Sequence, residues 1–186
     1  MKEVAILGNA SRTRDFAPFD NPDIEIWAMT IHALKAKRCD AVLEMHPDVL
    51  TGTRWEEYPD HRTYREWLQK TEIPIWMHLP DAAIPASQRY PRQEIEWKFS
   101  RTPEGGKHLK TFFGGTASYA VALAMYLGFE RIDLYGIELN SRPAYDDERD
   151  CLFYWTGRAE GMGIDVTVHE ESRLFRDILY PFERIA

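Results

Sequence analysis

The sequence predicts one α/β domain of the doubly wound, Rossmann-like class, with a mostly parallel sheet and helices on both faces. The first observation is a set of short, continuous apolar runs that end in glycine or polar residues, which is typical of strands buried on both faces. The second is a small-residue helix, Ala117–Leu127, that leads through Gly128 into another apolar run, as in an αβ unit of a layered sheet. The third is that 186 residues carry no internal repeat and no linker, which predicts a single domain over 1–186.

Strand and helix signals alternate through the first half of the chain. The predicted strands span Val4–Leu7, Ile24–Ala28, Ala41–Met45 and Ile73–Met77. Pro74 favours an edge position, or a place at the first residues of its strand, because proline cannot donate a hydrogen bond to a neighbouring strand. A short helix is expected across 31–38. An amphipathic surface helix is expected within 55–70, where Tyr64, Trp67 and Leu68 recur at helical spacing.

The second half centres on the helix at 117–127. Gly114 and Gly115 let the backbone turn freely before it, and Thr116 or Ser118 is expected to cap its first amides. The apolar run is too short to span a bilayer, which needs roughly 20 residues, and no membrane insertion is predicted.

A strand over 132–135 that stops at Gly136 follows this helix. A helix over 152–160, a strand over 164–168 and an apolar cover at 175–182 complete the predicted domain. Residues 79–111 contain four prolines and lack a sustained period, so they are predicted to form an irregular loop or lid.

Composition narrows the classes of partner. The chain has 23 basic and 30 acidic side chains and a net charge of −7, which argues against a duplex nucleic-acid binder because such binding depends on a positive surface. A small anionic ligand held by local amides and a few arginines remains open. Only five apolar residues precede Gly8, which is too few for a signal peptide, so we expect a cytoplasmic location. A homo-oligomer is left open.

Polar residues follow several of the predicted strands. Because the carboxyl ends of parallel strands share one edge of the sheet, where open α/β sheets bind their ligands, we expect these residues to converge. Free amides at a helix start, beside glycines and hydroxyls, favour a phosphate there. No GxGxxG and no Walker lysine is present. The candidate ligand-binding residues are Gly8, Asn9, Ser11, Arg12, Thr30, His46, Gly115, Thr116, Ser118, Gly136, Ile137 and Glu138. His32 also lies just past the second strand.

Three stretches carry a family resemblance: Val4–Arg12, Ala41–Pro47 and Thr116–Glu138. With them the chain resembles the superfamily of small bacterial CMP-sialic-acid sialyltransferases and 6-hydroxymethylpterin diphosphokinase-like proteins, and most closely its uncharacterised phage and prophage members. The resemblance implies a nucleotide held across the strand ends. Ala10 alone replaces the Gly-Pro of the family's turn, His46 stands where the sialyltransferases carry asparagine, and Glu138 replaces their aspartate.

The resemblance also implies candidate chemistry. His169 is similar in position to the histidine base of the sialyltransferases, and Tyr145 resembles the tyrosines that assist phosphate departure. A transferase of this kind implies a nucleotide-sugar donor and no required metal. A diphosphokinase would need magnesium, for which Glu138, Asp146 and Asp147 are the available carboxylates. A non-catalytic protein that sequesters or senses a nucleotide is the third hypothesis.

Overall fold

The structure, a computed structural model, describes residues 1–52, 60–99, 112–139 and 145–174. The described residues form one sheet of seven strands in the order β5-β4-β3-β2-β1-β6-β7, and every neighbouring pair is parallel. The strands are β1 (Glu3–Leu7), β2 (Ile24–Met29), β3 (Ala41–Glu44), β4 (Ile75–Met77), β5 (Ser87–Arg89), β6 (Arg131–Tyr135) and β7 (Asp165–Val168). The predicted α/β fold with a parallel sheet is therefore confirmed.

Helices cover both faces of this sheet, as predicted. The helices are α1 (Ser11–Arg14), a 3-10 helix (Thr30–Lys35), α2 (His61–Leu68), α3 (Arg92–Phe99), α4 (Thr116–Tyr126) and α5 (Tyr145–Gly161). Side chains of α3, α4 and α5 share one apolar cluster with Val4 and Ile6 of β1, while α2 packs with Ala28 and Val42 on the opposite face. Successive strand residues point to opposite faces, so each strand contributes to both layers.

Helix α4 forms the centre of the larger layer. Nine of its eleven residues are buried, and the glycine that follows it, Gly128, has a φ of +78°, as a left-handed helix stop requires. The expectation of a side-chain cap is wrong. Gly115 occupies the N-cap position, and the buried Ser118 hydroxyl donates a hydrogen bond to the Gly115 carbonyl at 2.6 Å. No side chain among the described residues caps the helix, so none of them supplies an acceptor for the amides at its start.

The segment 79–99 differs from the expected irregular loop, because it contains β5 and α3. Ile95 and Phe99, four residues apart, are buried on the face of α3 that meets the core. Strand β4 consequently has a neighbour on each side and is not an edge strand. Pro74 precedes its first residue, and its carbonyl accepts a hydrogen bond from the Val42 amide at 2.9 Å.

Several predictions lie outside the described residues: the early part of the 55–70 helix, the 100–111 part of the proposed lid, and the 175–182 cover. No helix in the described ranges is long and apolar enough to cross a membrane.

Candidate functional site

A cavity of about 530 Å³ opens at the carboxyl edge of the sheet. The strand order changes direction between β1 and β6, and such switch points are where open α/β sheets hold their ligands. The walls of the cavity come from the ends of β1, β2, β3 and β6 and from the starts of α4 and α5. The lining residues include Gly8, Asn9, Thr30, His32, Glu44, His46, His61, Tyr64, Thr116, Ala117, Gly136, Ile137, Glu138, Tyr145 and Glu148.

Two glycines let the backbone after β1 and β6 interlock at the base of this cavity. The Gly8 amide donates to the Tyr135 carbonyl at 2.7 Å, and the Ala10 amide donates to the Gly136 carbonyl at 2.9 Å. A Cβ atom added to Gly8 would lie 2.4 Å from the Gly136 carbonyl oxygen. Gly136 has a φ of +67°, a conformation that side-chain-bearing residues rarely adopt. This close approach requires glycine at both positions.

The start of α4 presents its backbone to the same space. Thr116 and Ala117 line the cavity, and within the described residues their amides have no hydrogen-bond partner. The free amides and the positive end of the helix dipole together make an anion site. Gly115 lies beside this start against Glu148, where an added Cβ would come within 2.4 Å of Glu148 Oε2. Burial raises the pKa of the Glu148 carboxyl above its ordinary value.

Two residues at the cavity rim have left-handed backbones without being glycine. Thr30 has a φ of +52° and Leu139 a φ of +43°. Such conformations are strained, most of all for a β-branched residue like threonine, and they cluster at functional sites. The left-handed conformation of Thr30 turns the chain from β2 directly into the 3-10 helix that carries His32.

A buried polar network forms the wall nearest β3. Glu44, the last residue of β3, is only 1% exposed. Its Oε1 accepts a hydrogen bond from the His46 amide at 3.0 Å and lies 2.6 Å from His46 Nδ1, while its Oε2 accepts one from the Tyr64 hydroxyl at 2.8 Å. Burial, followed by the Glu44 charge, raises the pKa of Tyr64 well above its ordinary value, so the phenol keeps its proton.

Sequence reasoning did not identify Glu44 and Tyr64 as site residues. Glu44 ends an otherwise apolar strand, and Tyr64 was assigned to a surface helix. The available signal was the two-residue spacing of Glu44 and His46, which places both side chains on one side of an extended chain. Nothing local to the sequence indicates that Tyr64, 20 positions further on, completes the network.

The cavity wall contains buried polar atoms that no described residue satisfies. His32 Nδ1 and Glu138 Oε1 are buried and make no hydrogen bond within the described residues. Burial, with smaller contributions from the charges of Lys35 and Arg14, lowers the pKa of His32 to about 4, so its imidazole is neutral near pH 7. Buried polar atoms without partners cost stability unless a ligand or water satisfies them, which makes both atoms candidate ligand contacts.

The cavity brings together distant sequence-predicted residues and leaves others outside. Those that line it are Gly8, Asn9, Thr30, His46, Thr116, Gly136, Ile137, Glu138 and Tyr145. Gly115 and Ser118 lie behind the lining at the start of α4. Ser11 and Arg12 are exposed on α1, where Arg12 lies 3.9 Å from Glu171 in an ion pair. The geometric expectation that positions 9, 46, 116 and 137 share one cleft is met.

His169, the predicted base, lies beyond β7 and does not line this cavity. Its ring stacks on Phe16 with 4.6 Å between centroids, and its Nδ1 accepts a hydrogen bond from the Glu171 amide at 3.2 Å. An imidazole that accepts at Nδ1 carries its proton on Nε2 when neutral, so neither nitrogen is then set to receive a proton. The assignment of His169 as base stays a prediction.

Carboxylates and histidines surround the cavity without forming a metal-binding group. No set of three or more histidine, cysteine, aspartate or glutamate side chains in the described part of the chain has an arrangement that could hold a metal ion. The same holds for Glu138, Asp146 and Asp147, the predicted magnesium ligands. Their role stays a prediction.

Comparison with known proteins finds neighbours by structure. No family model matches the chain, and no curated protein does. The sialyltransferase CstII from Campylobacter jejuni is similar in structure: its complex with cytidine-5'-monophosphate has a TM-score of 0.51 and 17% identity and covers 94% of this chain and 82% of that one. Its complex with CMP-3FNeuAc has a TM-score of 0.54 and 16% identity, with 90% and 80% covered. A third structure holds a trisaccharide acceptor and CMP, with a TM-score of 0.51. The chain therefore has a sialyltransferase-like, Rossmann-like fold.

Proposed function

We propose that the protein is a nucleotide-dependent transferase, similar to glycosyltransferases, that takes a nucleotide sugar as donor. The observation that carries the proposal is the gathering of the Asn9 turn, the Thr116 helix start and the Gly136–Glu138 strand end around one cavity at the switch point of the sheet. The sialyltransferase-like fold supports this reading, because similar structures were obtained with CMP and with a CMP-sugar analogue.

The donor would lie with its phosphate at the amides of Thr116 and Ala117. These amides need no movement of side chains to meet an anion, and the dipole of α4 adds to the attraction. Glu138 Oε1, buried and without a partner, would accept a hydrogen bond from a ribose hydroxyl or a base amino group. Tyr145, which borders the same cavity at the first residue of α5, would donate to the phosphate as it leaves.

The donor itself stays to be identified. The sequence resemblance and the neighbouring structures both favour a CMP-sugar as the first donor to test. The relation to phage or prophage proteins and to diphosphokinases depends on the sequence resemblance alone, and so does a magnesium-dependent reaction with ATP. A protein that binds a nucleotide without turnover is the other alternative, and a cytoplasmic location and a homo-oligomer stay predictions.

Nucleotide binding can be tested by thermal shift and calorimetry with CMP, CDP, UDP, GDP and ATP, with and without magnesium. A ligand that binds the folded state at 100 times its Kd stabilises it by about 2.7 kcal/mol. Asn9 and Thr116 line the cavity, and their side chains would add hydrogen bonds to the nucleotide beyond those from the backbone amides. We therefore expect Asn9→Ala and Thr116→Val to weaken binding by about 1–3 kcal/mol, the loss typical of polar groups left without partners. Ser11→Ala, on the same turn but outside the cavity, is the matched control.

Turnover separates the three hypotheses. Release of a free sugar or a transferred sugar from a CMP-, UDP- or GDP-sugar supports the proposal. Magnesium-dependent formation of AMP from ATP would select the pyrophosphokinase. Tight binding with neither reaction would leave a sequestering or sensing protein. Unchanged affinity in both Asn9→Ala and Thr116→Val, with both variants folded, would count against the cavity as the nucleotide site.

A further inference from the structure

The cavity contains a carboxylate–histidine pair that takes no part in the contacts proposed above for the donor phosphate, ribose and base. Glu44 Oε1 lies 2.6 Å from His46 Nδ1, and the His46 side chain is 33% exposed while that of Glu44 is 1% exposed. A carboxylate oxygen can only accept, so this contact requires the proton on His46 Nδ1. That tautomer puts the basic lone pair on Nε2, on the opposite edge of the ring.

The pair is held rigidly on its buried side. Besides His46 Nδ1, the His46 amide donates to Glu44 Oε1 and the Tyr64 hydroxyl donates to Oε2. These bonds fix the carboxylate, and the carboxylate fixes the plane and tautomer of the imidazole. A buried acid that orients a histidine and stabilises its protonated form is the arrangement that makes imidazole an effective base.

We propose that Glu44 and His46 form the proton-accepting dyad of this site, with His46 as the general base and Glu44 as its positioning residue. This inference rests on the proposed transferase function and deepens it. In the reaction, the acceptor oxygen forms a bond to the anomeric carbon of the donor sugar while its proton passes to His46 Nε2. The bond from the anomeric carbon to the phosphate oxygen breaks, and its electron pair leaves with the nucleotide. His46 then returns the proton to water.

The geometry favours His46 over His169 in this role. His46 lines the cavity together with Asn9, Thr116 and Tyr145, whereas His169 does not. The hydrogen bond from the Glu171 amide to His169 Nδ1 selects the tautomer with its proton on Nε2. The base therefore lies at the end of β3, on the far side of β1 and β2 from β7.

The experiment measures nucleotide affinity and donor consumption in the parent and four variants, with CMP-, UDP- and GDP-sugars as donors and water as acceptor. His46→Asn is the sharpest variant, because asparagine can still hydrogen-bond a ligand but cannot take a proton at this pH. We expect its kcat to fall at least 100-fold with nucleotide Kd within threefold of the parent. His46→Ala should lose kcat similarly and regain part of it when imidazole is added to the buffer. His169→Ala should keep at least a third of the parent kcat.

Glu44→Gln tests the positioning role by separating turnover from binding. Loss of the carboxylate should lower kcat about tenfold and leave the nucleotide Kd within threefold of the parent, because a neutral amide is a weaker acceptor for the Nδ1 proton of His46. Among the described residues, the charged or titratable groups that interact with Glu44 or His46 include His61 and Tyr64 on α2, His78 after β4, and Glu148 on α5. They are present in both proteins, so the comparison isolates Glu44. If Glu44→Gln does not fold, the His46 variants decide the matter alone.

The possible results distinguish a failure of the Glu44–His46 dyad from a failure of the proposed transferase function. If His46→Asn turns over like the parent, or weakens nucleotide binding with no loss of kcat, the dyad is overturned and the transferase stands. If His169→Ala alone abolishes turnover, the base lies at β7 and the dyad is also overturned. If the parent binds nucleotides without consuming any donor, both the dyad and the transferase fall and a nucleotide binder is left. If no nucleotide binds at all, the proposed function fails first.

Discussion

The cavity has two halves that are built differently. The backbone half consists of the Gly8 turn, the Gly136 strand end and the Thr116 helix start, and it presents amides and carbonyls. The side-chain half consists of Glu44, His46 and Tyr64, and it presents a buried hydrogen-bonded network. Backbone surfaces need particular small residues at fixed local positions, so they leave a pattern in the sequence. A network joins side chains from different elements, and the local sequence around each member does not indicate its role.

The largest effect on stability is expected at Gly8, where the ends of β1 and β6 approach each other most closely. In Gly8→Ala the new Cβ would lie 2.4 Å from the Gly136 carbonyl oxygen, and this neighbour is backbone that cannot rotate away. We expect a loss of about 3 kcal/mol in the free energy of unfolding, at the upper end of the usual cost of overpacking. Urea denaturation monitored by tryptophan fluorescence measures it.

Gly157→Ala is the matched control for this substitution. Gly157 lies within α5, where an added Cβ meets nothing within 4 Å. Because alanine is the better helix former, we expect stability to rise by about 0.5–1 kcal/mol. A Gly8→Ala variant as stable as the parent would mean that the β1 and β6 ends do not approach each other this closely, and the backbone half would need another explanation.

A somewhat smaller loss of stability is expected from a substitution in the side-chain half. Tyr64→Phe removes the hydroxyl that donates to Glu44 Oε2 and leaves a buried carboxylate oxygen without that partner. We expect a loss of about 2 kcal/mol in the free energy of unfolding, within the usual cost of a stranded buried polar group. Tyr126→Phe, at the half-buried end of α4, should change stability by less than about 0.5 kcal/mol. Equal losses in both variants would show that the network adds nothing specific.

The same distinction explains how far the sequence predicts the molecule. The strand at Val4–Leu7 and the helix after Gly115 could be recognised because apolar runs, glycines and small residues are local signals. The convergence of Asn9 and Thr116 then followed from the geometry of parallel strands. Strand β5 could not be predicted, since its three residues, Ser87–Arg89, are polar and only its partner β4 makes them a strand.

The site shows the limit more clearly. Glu44 and Tyr64 meet because α2 packs on the face of the sheet opposite α4, which no local pattern specifies. Asp146, Asp147 and Glu148 could be assigned to the start of a helix by their charge, and they do occupy the first turn of α5. That Glu148 also borders the cavity depends on how α5 docks beside Gly115.

The smallest effect on stability is expected from the titration of His32, which lies between the two halves. The pKa of His32 is lowered to about 4 by burial, while an unfolded histidine titrates near 6.5. Between these values the unfolded chain binds a proton that the folded protein excludes, so folded-state stability rises with pH from about 4 to about 6.5 and falls as the solution is acidified through that window. One unit of pH is worth up to about 1.4 kcal/mol for a single group.

His32→Gln removes this titration while keeping a polar side chain. We expect the parent to lose about 1 kcal/mol more stability than His32→Gln between pH 6.5 and 5.5, measured by urea denaturation at both values. The pKa values of His61 and His78 are also lowered, chiefly by burial, and that of Glu148 is raised by burial, so they contribute to the slope of both proteins alike. Parallel slopes would mean that His32 titrates in the folded protein as it does in the unfolded chain. The burial that makes its Nδ1 a candidate ligand contact would then be contradicted.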